Sequence, residues 1–340
     1  MHAVPHPTKD AASVAVIDLG DLRSPDPARR ERLGQAIARA CREVGFFYIV
    51  NHGVPQPRIV RMFEIARAFF RLPLTDKMAL SMAANRSYRG YLPMKTTGND
   101  PSMKGLLLEA FHAWQEHAPD DPDLQAGKPL HGSNVWPAQM PGMQEEVMAY
   151  AGLVTGLARD LMRIAALGLG LPESTFLRHF DRPLSLLRLI HYPPQEPSET
   201  EGRFGTRPHT DNCAFTLLAQ DDTGGLEILG DNGEWVGVPP IPGSYVINLG
   251  EAMKVWTNGM FMATPHRVIN RSGKERYSIP FFMNPTHDVV LQPILREAGS
   301  GKAEPVFHST VGIDEGLTSG EALLRLYRKI WPSLDGRLVS

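Results

Sequence analysis

Short apolar runs separated by turn residues constrain the fold of this chain more than any other feature of its sequence. The runs lie at 214–220, 226–229, 235–238, 244–249, 261–269 and 276–282. Turn sequences separate them, among them Asp231, Asn232 and Gly233, where Asn and Gly tolerate a positive φ. Short strands at this spacing are typical of an antiparallel barrel or a double-sheet jelly roll. The sequence therefore predicts a mainly β fold with helices around it.

Helical periodicity surrounds this β region on both sides. Apolar residues recur at helical spacing in 28–44, 58–71 and 144–169, and a closing helix is predicted at 319–331 with Ser319 as its N-cap. Strands are predicted at 14–19 and 46–50, and residues 85–142 are rich in Pro, Gly and Asp. We expect one catalytic domain against which a helical amino-terminal portion packs. Its predicted parts are a flexible lead-in at 1–12, an amino-terminal portion at 13–142, a catalytic core at 143–312 and a carboxy-terminal segment at 313–340.

Two histidines and one aspartate form a candidate metal site. His209 and Asp211 lie two residues apart, and His266 follows in another predicted strand. Residues i and i+2 of a strand point to the same side, so His209 and Asp211 can bind one ion together. A His-x-Asp triplet alone is common by chance, but here it precedes a run of strands that can bring His266 close. Two imidazoles and a carboxylate on one face of an octahedral metal leave adjacent positions open, as in non-haem Fe(II) oxygenases.

A second candidate site lies on the last predicted strand of the series. Arg276 and Ser278 share a face by the two-residue period. A guanidinium binds a carboxylate in a planar fork, and a neighbouring hydroxyl can add a donor. Because Arg276 follows His266 across one tight turn, we expect both in the same mouth of the barrel.

The ordered motifs of the chain resemble those of a known family. In the second half they lie at 209–211 (His-Thr-Asp), 217–221, 224–226, 248–250, 256–258, 266–268 and 276–278 (Arg-Tyr-Ser). In the first half they lie at 17–19, 40–47, 51–54, 69–73 and 89–91. Together they resemble the Fe(II)/2-oxoglutarate dioxygenases of the isopenicillin N synthase type, from about residue 14 to about residue 312.

The resemblance implies a distorted double-stranded β-helix (jelly roll, cupin-like) core and a set of site residues. Fe(II) would be bound by His209, Asp211 and His266, and Arg276 and Ser278 would bind the distal carboxylate of 2-oxoglutarate. Tyr192 matches a tyrosine that commonly helps to hold the other end of this co-substrate. Ile190 stands where many plant members have Asn, so the contacts of the 1-carboxylate stay open.

The activity implied by the resemblance is oxidation of a small molecule by O2, with release of succinate and CO2. Hydroxylation is expected, with desaturation or cyclisation as variants. Related halogenases have a small residue where Asp211 stands, so a carboxylate argues against halogenation. Seven residues are predicted to line the substrate pocket, namely Arg89, Tyr91, Phe111, Asn212, Phe215, Phe282 and Asn284. Cys213 is interpreted as a pocket-lining thiol rather than a fourth metal ligand.

Composition limits the partners and the compartment. The net charge is −2, and acidic and basic residues are interspersed, so neither nucleic acid nor an anionic membrane is expected as a partner. No apolar run is long enough to span a bilayer, and no leader pattern is present. With 2 cysteines, Cys41 and Cys213, a disulfide framework is not expected. A reducing cytoplasm fits, and the oligomeric state stays open.

Three other functions are compatible with parts of this pattern. Isopenicillin N synthase itself and 1-aminocyclopropane-1-carboxylate oxidase share the metal triad and the Arg-x-Ser motif but do not use 2-oxoglutarate. A non-catalytic sensor that binds iron and 2-oxoglutarate is a second possibility. A zinc hydrolase is a third, but the sequence offers no strong water-activating base such as His-Glu-x-x-His.

Overall fold

The structure, a computed structural model, describes residues 14–84, 88–94, 107–195, 204–295 and 316–331. The predicted flexible lead-in at 1–12 lies outside the described residues. The strands in the described part of the chain are β1 (Val16–Asp18), β2 (Phe46–Val50), β3 (Gly90–Leu92), β4 (Glu109–Trp114), β5 (Leu186–Tyr192), β6 (Thr206–His209), β7 (Phe215–Gln220), β8 (Leu226–Leu229), β9 (Trp235–Gly237), β10 (Tyr245–Leu249), β11 (His266–Val268) and β12 (Arg276–Met283).

These strands form two sheets of unequal size. The larger sheet has 8 strands in the order β1-β2-β10-β7-β12-β5-β4-β3, and the smaller has 4 in the order β6-β11-β8-β9. Among these strands only the β1–β2 pair is parallel, while the remaining pairs are antiparallel. The two sheets form a jelly roll, as predicted, and the four strands from the amino-terminal part of the chain belong to the larger sheet.

Alternation along the strands of the larger sheet divides the core into two layers. Leu217 and Ile247 pack in the layer beneath the helices, and their neighbours Leu218 and Val246 pack in the layer between the sheets. Each such side chain stabilises the fold by about 1.5–3 kcal/mol relative to exposure. A shift of one residue in register would exchange the two layers, so the apolar pattern fixes which residues face the inside of the jelly roll.

Helices cover the outer face of the larger sheet and one end of the molecule. They are α1 (Pro27–Glu43), α2 (Gln56–Phe70), α3 (Leu74–Met78), a 3₁₀ turn (Met82–Ala84), α4 (Pro122–Gln125), α5 (Met143–Gly168), α6 (Ser174–Leu177), α7 (Glu251–Trp256) and α8 (Ser319–Ile330). The side chain of Asp26 caps α1 by accepting a hydrogen bond from the Ala28 amide. None of the helices in the described part of the chain has both the length and the apolar character that a membrane span requires.

Two local predictions differ from the structure, and one strand lies where none was predicted. The N-cap of α8 is Thr318, not Ser319, because the Thr318 hydroxyl and the Glu321 carboxylate form a capping box. The strand predicted at 261–269 is much shorter, since β11 covers only 266–268. Within the Pro- and Gly-rich region, β4 forms an inner strand of the larger sheet. All six of its residues are buried, so it lacks the alternation by which a strand is predicted.

Candidate metal and 2-oxoglutarate site

The two candidate histidines lie opposite each other in the smaller sheet. His209 is the last residue of β6 and pairs with His266, the first residue of β11. Their ring centroids are 4.2 Å apart. The antiparallel register thus brings together two histidines from distant parts of the sequence.

Asp211 lies in the loop after β6 rather than on the strand itself, which corrects the basis on which it was predicted. The loop turns back so that the Asp211 carbonyl accepts a hydrogen bond of 2.8 Å from the Glu251 amide. Gly250 permits this path, because a Cβ at that position would lie 2.1 Å from the Cys213 carbonyl oxygen and 2.7 Å from that of Asp211. A side chain at position 250 would therefore displace the Asp211 loop.

The three side chains converge on one point. The Oδ1 atom of Asp211 lies 3.5 Å from Nε2 of His209 and 3.8 Å from Nε2 of His266. One ligand atom from each of the three residues falls within 4.8 Å of the others, and within the described residues this is the one such group of His, Cys, Asp and Glu side chains. A divalent ion placed among these atoms would have two imidazole nitrogens and one carboxylate oxygen as ligands.

Hydrogen bonds behind the triad orient each ligand atom. Nδ1 of His209 donates to the Arg207 carbonyl at 2.8 Å, and Nδ1 of His266 donates to the Thr264 carbonyl at 3.2 Å. Both Nε2 atoms are therefore unprotonated in the neutral rings and can bind a metal. On the aspartate, Oδ2 accepts from Asn248 at 2.7 Å and from Thr216 at 2.5 Å, which directs Oδ1 toward the two imidazoles.

The protonation states also suit metal binding. Burial alone would raise the pKa of the Asp211 carboxyl, but His266, His209 and the Thr216 hydroxyl together hold that pKa well below its usual range. Burial and the neighbouring His209 lower the pKa of His266 to about 4. At neutral pH the aspartate is an anion and His266 is uncharged, which are the forms that bind metal ions.

Arg276 is fully buried, and part of its guanidinium has no protein partner. Its Nε donates to the Gly224 carbonyl at 2.5 Å, one terminal nitrogen donates to Gln220 at 3.1 Å, and the group lies 4.7 Å above the Tyr192 ring. The other terminal nitrogen, Nη1, is buried and has no hydrogen bond to any described residue. A buried charge without a counter-ion is costly, so this group fits a bound carboxylate such as that of 2-oxoglutarate.

Tyr192 lies beside this guanidinium, and Ser278 lies on the same strand as Arg276. Ser278 is buried two residues further along β12 and faces Ile190 on β5 and Gln220 on β7. Tyr192 pairs with Arg276 across the β5–β12 ladder, and its hydroxyl lies 3.4 Å from that of Thr206. The tyrosine ring therefore supports the guanidinium, while its hydroxyl is in hydrogen-bonding distance of a threonine.

A cavity of about 270 Å³ opens beside the triad and beneath α8. It has His209 and Asp211 on its wall, together with Asn212, Phe282 and Asn284, three of the predicted substrate residues. Cys213 also lines it, as expected for a pocket thiol. Most of the remaining wall is aliphatic or aromatic, with Leu92, Leu108, Leu186, Leu323, Leu326, Tyr327, Ile330 and Trp331 among the contributors.

The other four predicted substrate residues do not reach the described cavity wall, and this corrects their assignment. Arg89 donates to the carbonyls of Leu130 and Gln115, and the Tyr91 hydroxyl donates to Glu109 at 2.6 Å. Phe111 packs on Phe69 of α2, with ring centroids 4.8 Å apart, and Phe215 is fully buried in the layer beneath the helices. Tyr91, Phe111 and Phe215 lie on the helix-facing side of the larger sheet, and Arg89 is held by main-chain carbonyls.

Sequence reasoning did not assign Thr216, Asn248 or Arg188 to the site. Thr216 and Asn248 hold the non-ligating oxygen of Asp211, and Arg188 lines the cavity. Asn248 belongs to a motif that carried the family resemblance, so a signal for it was present. Thr216 could have been found because it lies on the strand that directly follows Asp211. Arg188 could have been found because it lies four residues before Tyr192 on the same strand, and residues an even number apart on a strand share a face.

Comparison with known proteins defines the class to which this fold and site belong. The model for the non-haem dioxygenase in morphine synthesis N-terminal domain matches residues 14–139, and that for the 2OG-Fe(II) oxygenase superfamily matches residues 183–285. The 2-oxoglutarate-Fe(II) type oxidoreductase hxnY of Emericella nidulans is 36% identical over 297 residues, covering 85% of each chain. The chain therefore belongs to the 2OG-Fe(II) oxygenase superfamily, in its isopenicillin N synthase-like branch.

Two further proteins are similar over most of the chain. Homoarginine-6-hydroxylase 2-ODD-233 of Oryza sativa subsp. japonica is 33% identical, covering 91% of this chain and 98% of its own. The crystal structure of a full-length Neurospora crassa protein in complex with alpha-KG and thymine superposes with a TM-score of 0.77 at 25% identity, covering 92% of this chain and 96% of that chain. The protein is thus a dioxygenase that depends on Fe(II) and 2-oxoglutarate and acts on a small molecule.

Proposed function

We propose that His209, Asp211 and His266 bind the Fe(II) of this dioxygenase, and that the enzyme hydroxylates, or desaturates or cyclises, a small molecule held in the adjoining cavity. The observation that carries this assignment is the convergence of the three ligand atoms within 4.8 Å. The Nδ1 atoms of both histidines are already used in hydrogen bonds to main-chain carbonyls. Two imidazoles and one carboxylate are the donor set of non-haem Fe(II) oxygenases, and with three protein ligands the bound iron would have positions left for co-substrate and O2.

Arg276 and Ser278 are the proposed binding residues for the distal carboxylate of 2-oxoglutarate, and Tyr192 supports them. The unpartnered Nη1 of Arg276 supports this proposal, because a carboxylate would supply both the missing acceptor and the missing negative charge. Gln220 and the Gly224 carbonyl hold the rest of the guanidinium, so its fork is fixed before the co-substrate binds.

Iron and 2-oxoglutarate together supply oxidative decarboxylation, in which O2 converts 2-oxoglutarate to succinate and CO2 and a C–H bond of the substrate is oxidised. The chain itself positions the groups and excludes water. Asp211 remains anionic and is held by Thr216 and Asn248, while much of the cavity wall beneath α8 is aliphatic or aromatic and limits the access of water. Asn212, Phe282 and Asn284 are the residues we propose to contact the substrate.

We further propose that the enzyme works in the reducing cytoplasm on a free small molecule rather than on nucleic acid or a membrane. Cys41 and Cys213 are both free and buried, which supports a compartment without disulfide formation. Burial raises the pKa of both thiols, so neither is a reactive thiolate. The net charge of −2 and the interspersed charges support a small-molecule substrate over a polyanion.

The decisive experiment is an anaerobic titration of the apo-protein with Fe(II) and then with 2-oxoglutarate, followed by visible absorbance. The wild type is expected to develop a metal-to-ligand charge-transfer band. Asp211→Ala should not retain iron, and Arg276→Ala should retain iron but require far more 2-oxoglutarate. Because Arg276 is buried, its replacement by alanine can also affect the fold. Arg276→Lys is therefore the second variant, since it keeps the positive charge but lacks the planar guanidinium that binds a carboxylate with two hydrogen bonds.

The control is an arginine outside the site, Arg178, whose side chain is exposed. Arg178→Met should give the wild-type band at the wild-type 2-oxoglutarate concentration. If Asp211→Ala formed the band as readily as the wild type, the assigned iron site would be wrong. Circular dichroism of each variant separates loss of the site from loss of the fold.

A further inference from the structure

Arg188 lies on the inner face of the larger sheet and lines the cavity. It belongs to β5 and shares a face with Ile190 and Tyr192. Its guanidinium lines the cavity next to the triad. Four residues of strand separate it from Tyr192, a distance of roughly 13 Å along the sheet. One face of β5 thus carries both the Tyr192 ring, which supports Arg276, and the guanidinium of Arg188.

Arg188 has no ion-paired carboxylate among the described residues. Its Nε is buried and has no hydrogen bond to any described residue, and no ion pair joins it to an acidic side chain in the part of the chain that the structure describes. Burial lowers the pKa of the Arg188 guanidinium. An arginine nevertheless stays charged in a protein. Asp211 acts on this charge through space, but no ion pair to a described acidic side chain satisfies the guanidinium.

No described group around Arg188 forms an ion pair with it. His112, its partner across the β4–β5 ladder, is fully buried, and burial together with Arg188 holds the pKa of its imidazole well below the usual range. Tyr327 of α8 is a neutral phenol, because burial raises its pKa. Asp211 is the one carboxylate on the described cavity wall, and its two oxygens face Thr216 and Asn248 on one side and the metal position on the other.

Two more polar atoms on the cavity wall have no hydrogen-bond partner among the described residues. They are Nδ2 of Asn212 and Oγ1 of Thr210, both buried. Nδ2 can only donate a hydrogen bond, and the hydroxyl can donate one. A guanidinium, an amide N–H and a hydroxyl that lack acceptors are suited to a carboxylate. The part of the wall that is rich in leucine and aromatic residues suits an apolar body, and Arg207 and Lys329 also line the cavity.

We propose that Arg188 recognises a carboxylate on the substrate, so that the small molecule oxidised by this enzyme is an organic acid with an apolar body. The proposal rests on the iron and 2-oxoglutarate sites assigned above. It adds a second carboxylate site, which lies in the cavity beside the triad and is distinct from the Arg276 site. The acidic group would be held at Arg188, and the C–H bond to be oxidised would then lie on the apolar part of the molecule beside the triad.

A carboxylate could reach Arg188 from the substrate or from the 1-carboxylate of 2-oxoglutarate. We commit to the substrate because Arg188 lies among the residues that line the apolar cavity, whereas Arg276, Ser278 and Tyr192 do not line it. The two sources predict different losses when Arg188 is replaced. Loss of substrate binding alone points to the substrate, and loss of 2-oxoglutarate binding points to the co-substrate.

The experiment measures equilibrium binding of matched acids and amides to the anaerobic Fe(II)·2-oxoglutarate enzyme by calorimetry. The probes are acetate, benzoate and 3-phenylpropionate, each beside its primary amide. At least one of the two aromatic acids is expected to bind about tenfold to a hundredfold more tightly than its amide, as expected for hydrogen bonds to a charged group. Arg188→Met should abolish this preference, and Arg188→Lys should retain part of it. The exposed-arginine variant Arg178→Met is the control and should behave as the wild type.

The outcomes separate this proposal from the proposed function. If the wild type forms no charge-transfer band with Fe(II) and 2-oxoglutarate, the proposed sites themselves fail. If the band forms but no acid is preferred over its amide, only the carboxylate proposal is overturned. It is also overturned if Arg188→Met weakens 2-oxoglutarate binding and leaves the preference for acids intact. Thermal melting of each variant checks that the fold is retained.

Discussion

Two buried carboxylates, Glu109 and Asp211, have opposite surroundings. Glu109 accepts hydrogen bonds from Lys77 at 2.7 Å, Tyr91 at 2.6 Å and His191 at 2.8 Å, and the lysine neutralises its charge. Asp211 accepts from two neutral side chains on one oxygen, and its other oxygen faces two imidazole nitrogens that are set up to bind a metal. The protein satisfies the first carboxylate itself, whereas the second keeps one oxygen for the ion that we propose it binds.

The difference shows which buried polar groups belong to the active site. A buried ion that serves only the fold has its charge and its hydrogen bonds supplied by neighbouring side chains. A buried ion at a functional site keeps an atom available for a ligand, as Arg276 does with Nη1. Arg188 in the cavity meets the same criterion, because its buried Nε has no hydrogen bond to any described residue. Mutation should therefore affect stability at the first kind of buried charge and ligand binding at the second.

The largest effect is expected from Asp211→Ala. We expect loss of bound iron and a fall in 2-oxoglutarate turnover of at least about a thousandfold, because residues that act as one unit lose most of the rate together. Iron content of the purified protein and succinate formation are the measurements. Glu109→Gln is the matched control at the other buried carboxylate, and its folded fraction should bind iron as the wild type does. If both variants lost iron equally, the proposed difference between a structural carboxylate at Glu109 and a metal-binding carboxylate at Asp211 would be wrong.

Lys77→Met should destabilise the fold strongly without removing the site. It leaves Glu109 buried without a counter-ion, which costs about 3–5 kcal/mol of the free energy of unfolding. Urea denaturation measures this loss. The double variant Lys77→Met with Glu109→Gln should recover part of it, because the uncompensated charge is gone. A single variant as stable as the wild type would show that the Lys77–Glu109 pair does not stabilise the core.

Asn248→Ala should weaken iron binding without abolishing it. Asn248 fixes the non-ligating oxygen of Asp211, and loss of such a partner typically lowers metal affinity by about 10–100-fold. Thr216→Val removes the other hydrogen bond to the same oxygen and should act in the same direction. Competition with a metal-binding dye gives the affinities. Reduced stability with unchanged iron affinity in both variants would mean that these residues support only the fold.

Acid should weaken the Glu109 cluster in a predictable direction. Burial raises the pKa of Glu109, but hydrogen bonds from His191, Lys77 and Tyr91 hold it below its ordinary value of 4.5. A lowered pKa in the folded state contributes stability above 4.5 that disappears as the pH falls through the lowered value. The wild type should therefore lose more stability than Glu109→Gln between neutral pH and about pH 3.5. Urea midpoints of both proteins at both pH values measure these losses of stability. Equal losses in the wild type and in Glu109→Gln would contradict the prediction.

Most of the strands that carry the site could be predicted because their apolar runs are bounded by turn residues. β2, β7, β8, β10 and β12 lie within one or two residues of their predicted limits. β4 could not be predicted in this way, because it is covered on both faces and shows no alternation. The position of Asp211 after the end of β6 depends on the close approach of Gly250, which is far away in the sequence.

The pocket residues were harder to predict than the metal ligands, and the reason is physical. A ligand set has a chemical signature, whereas an aromatic residue on a strand can face either layer of the core. Tyr91 and Phe111 pair across the β3–β4 ladder and face α2, because Phe69 of that helix fills the space beside them. Asn212 and Phe282 face the other side and line the cavity. Only the packing of α2 on the sheet decides between these faces.

The smallest effect is expected from Tyr192→Phe. The ring beneath Arg276 remains in this variant, and only the contact of the hydroxyl with Thr206 at 3.4 Å is lost. If the ring supports the guanidinium through a cation–π contact, 2-oxoglutarate affinity should change less than about threefold, whereas Tyr192→Ala should lower it about tenfold. The 2-oxoglutarate titration of the charge-transfer band measures both variants. A large loss in Tyr192→Phe would instead mean that the hydroxyl itself binds the co-substrate. Tyr192 would then have to release Thr206 when 2-oxoglutarate enters, and Thr206→Val should have little effect on the affinity.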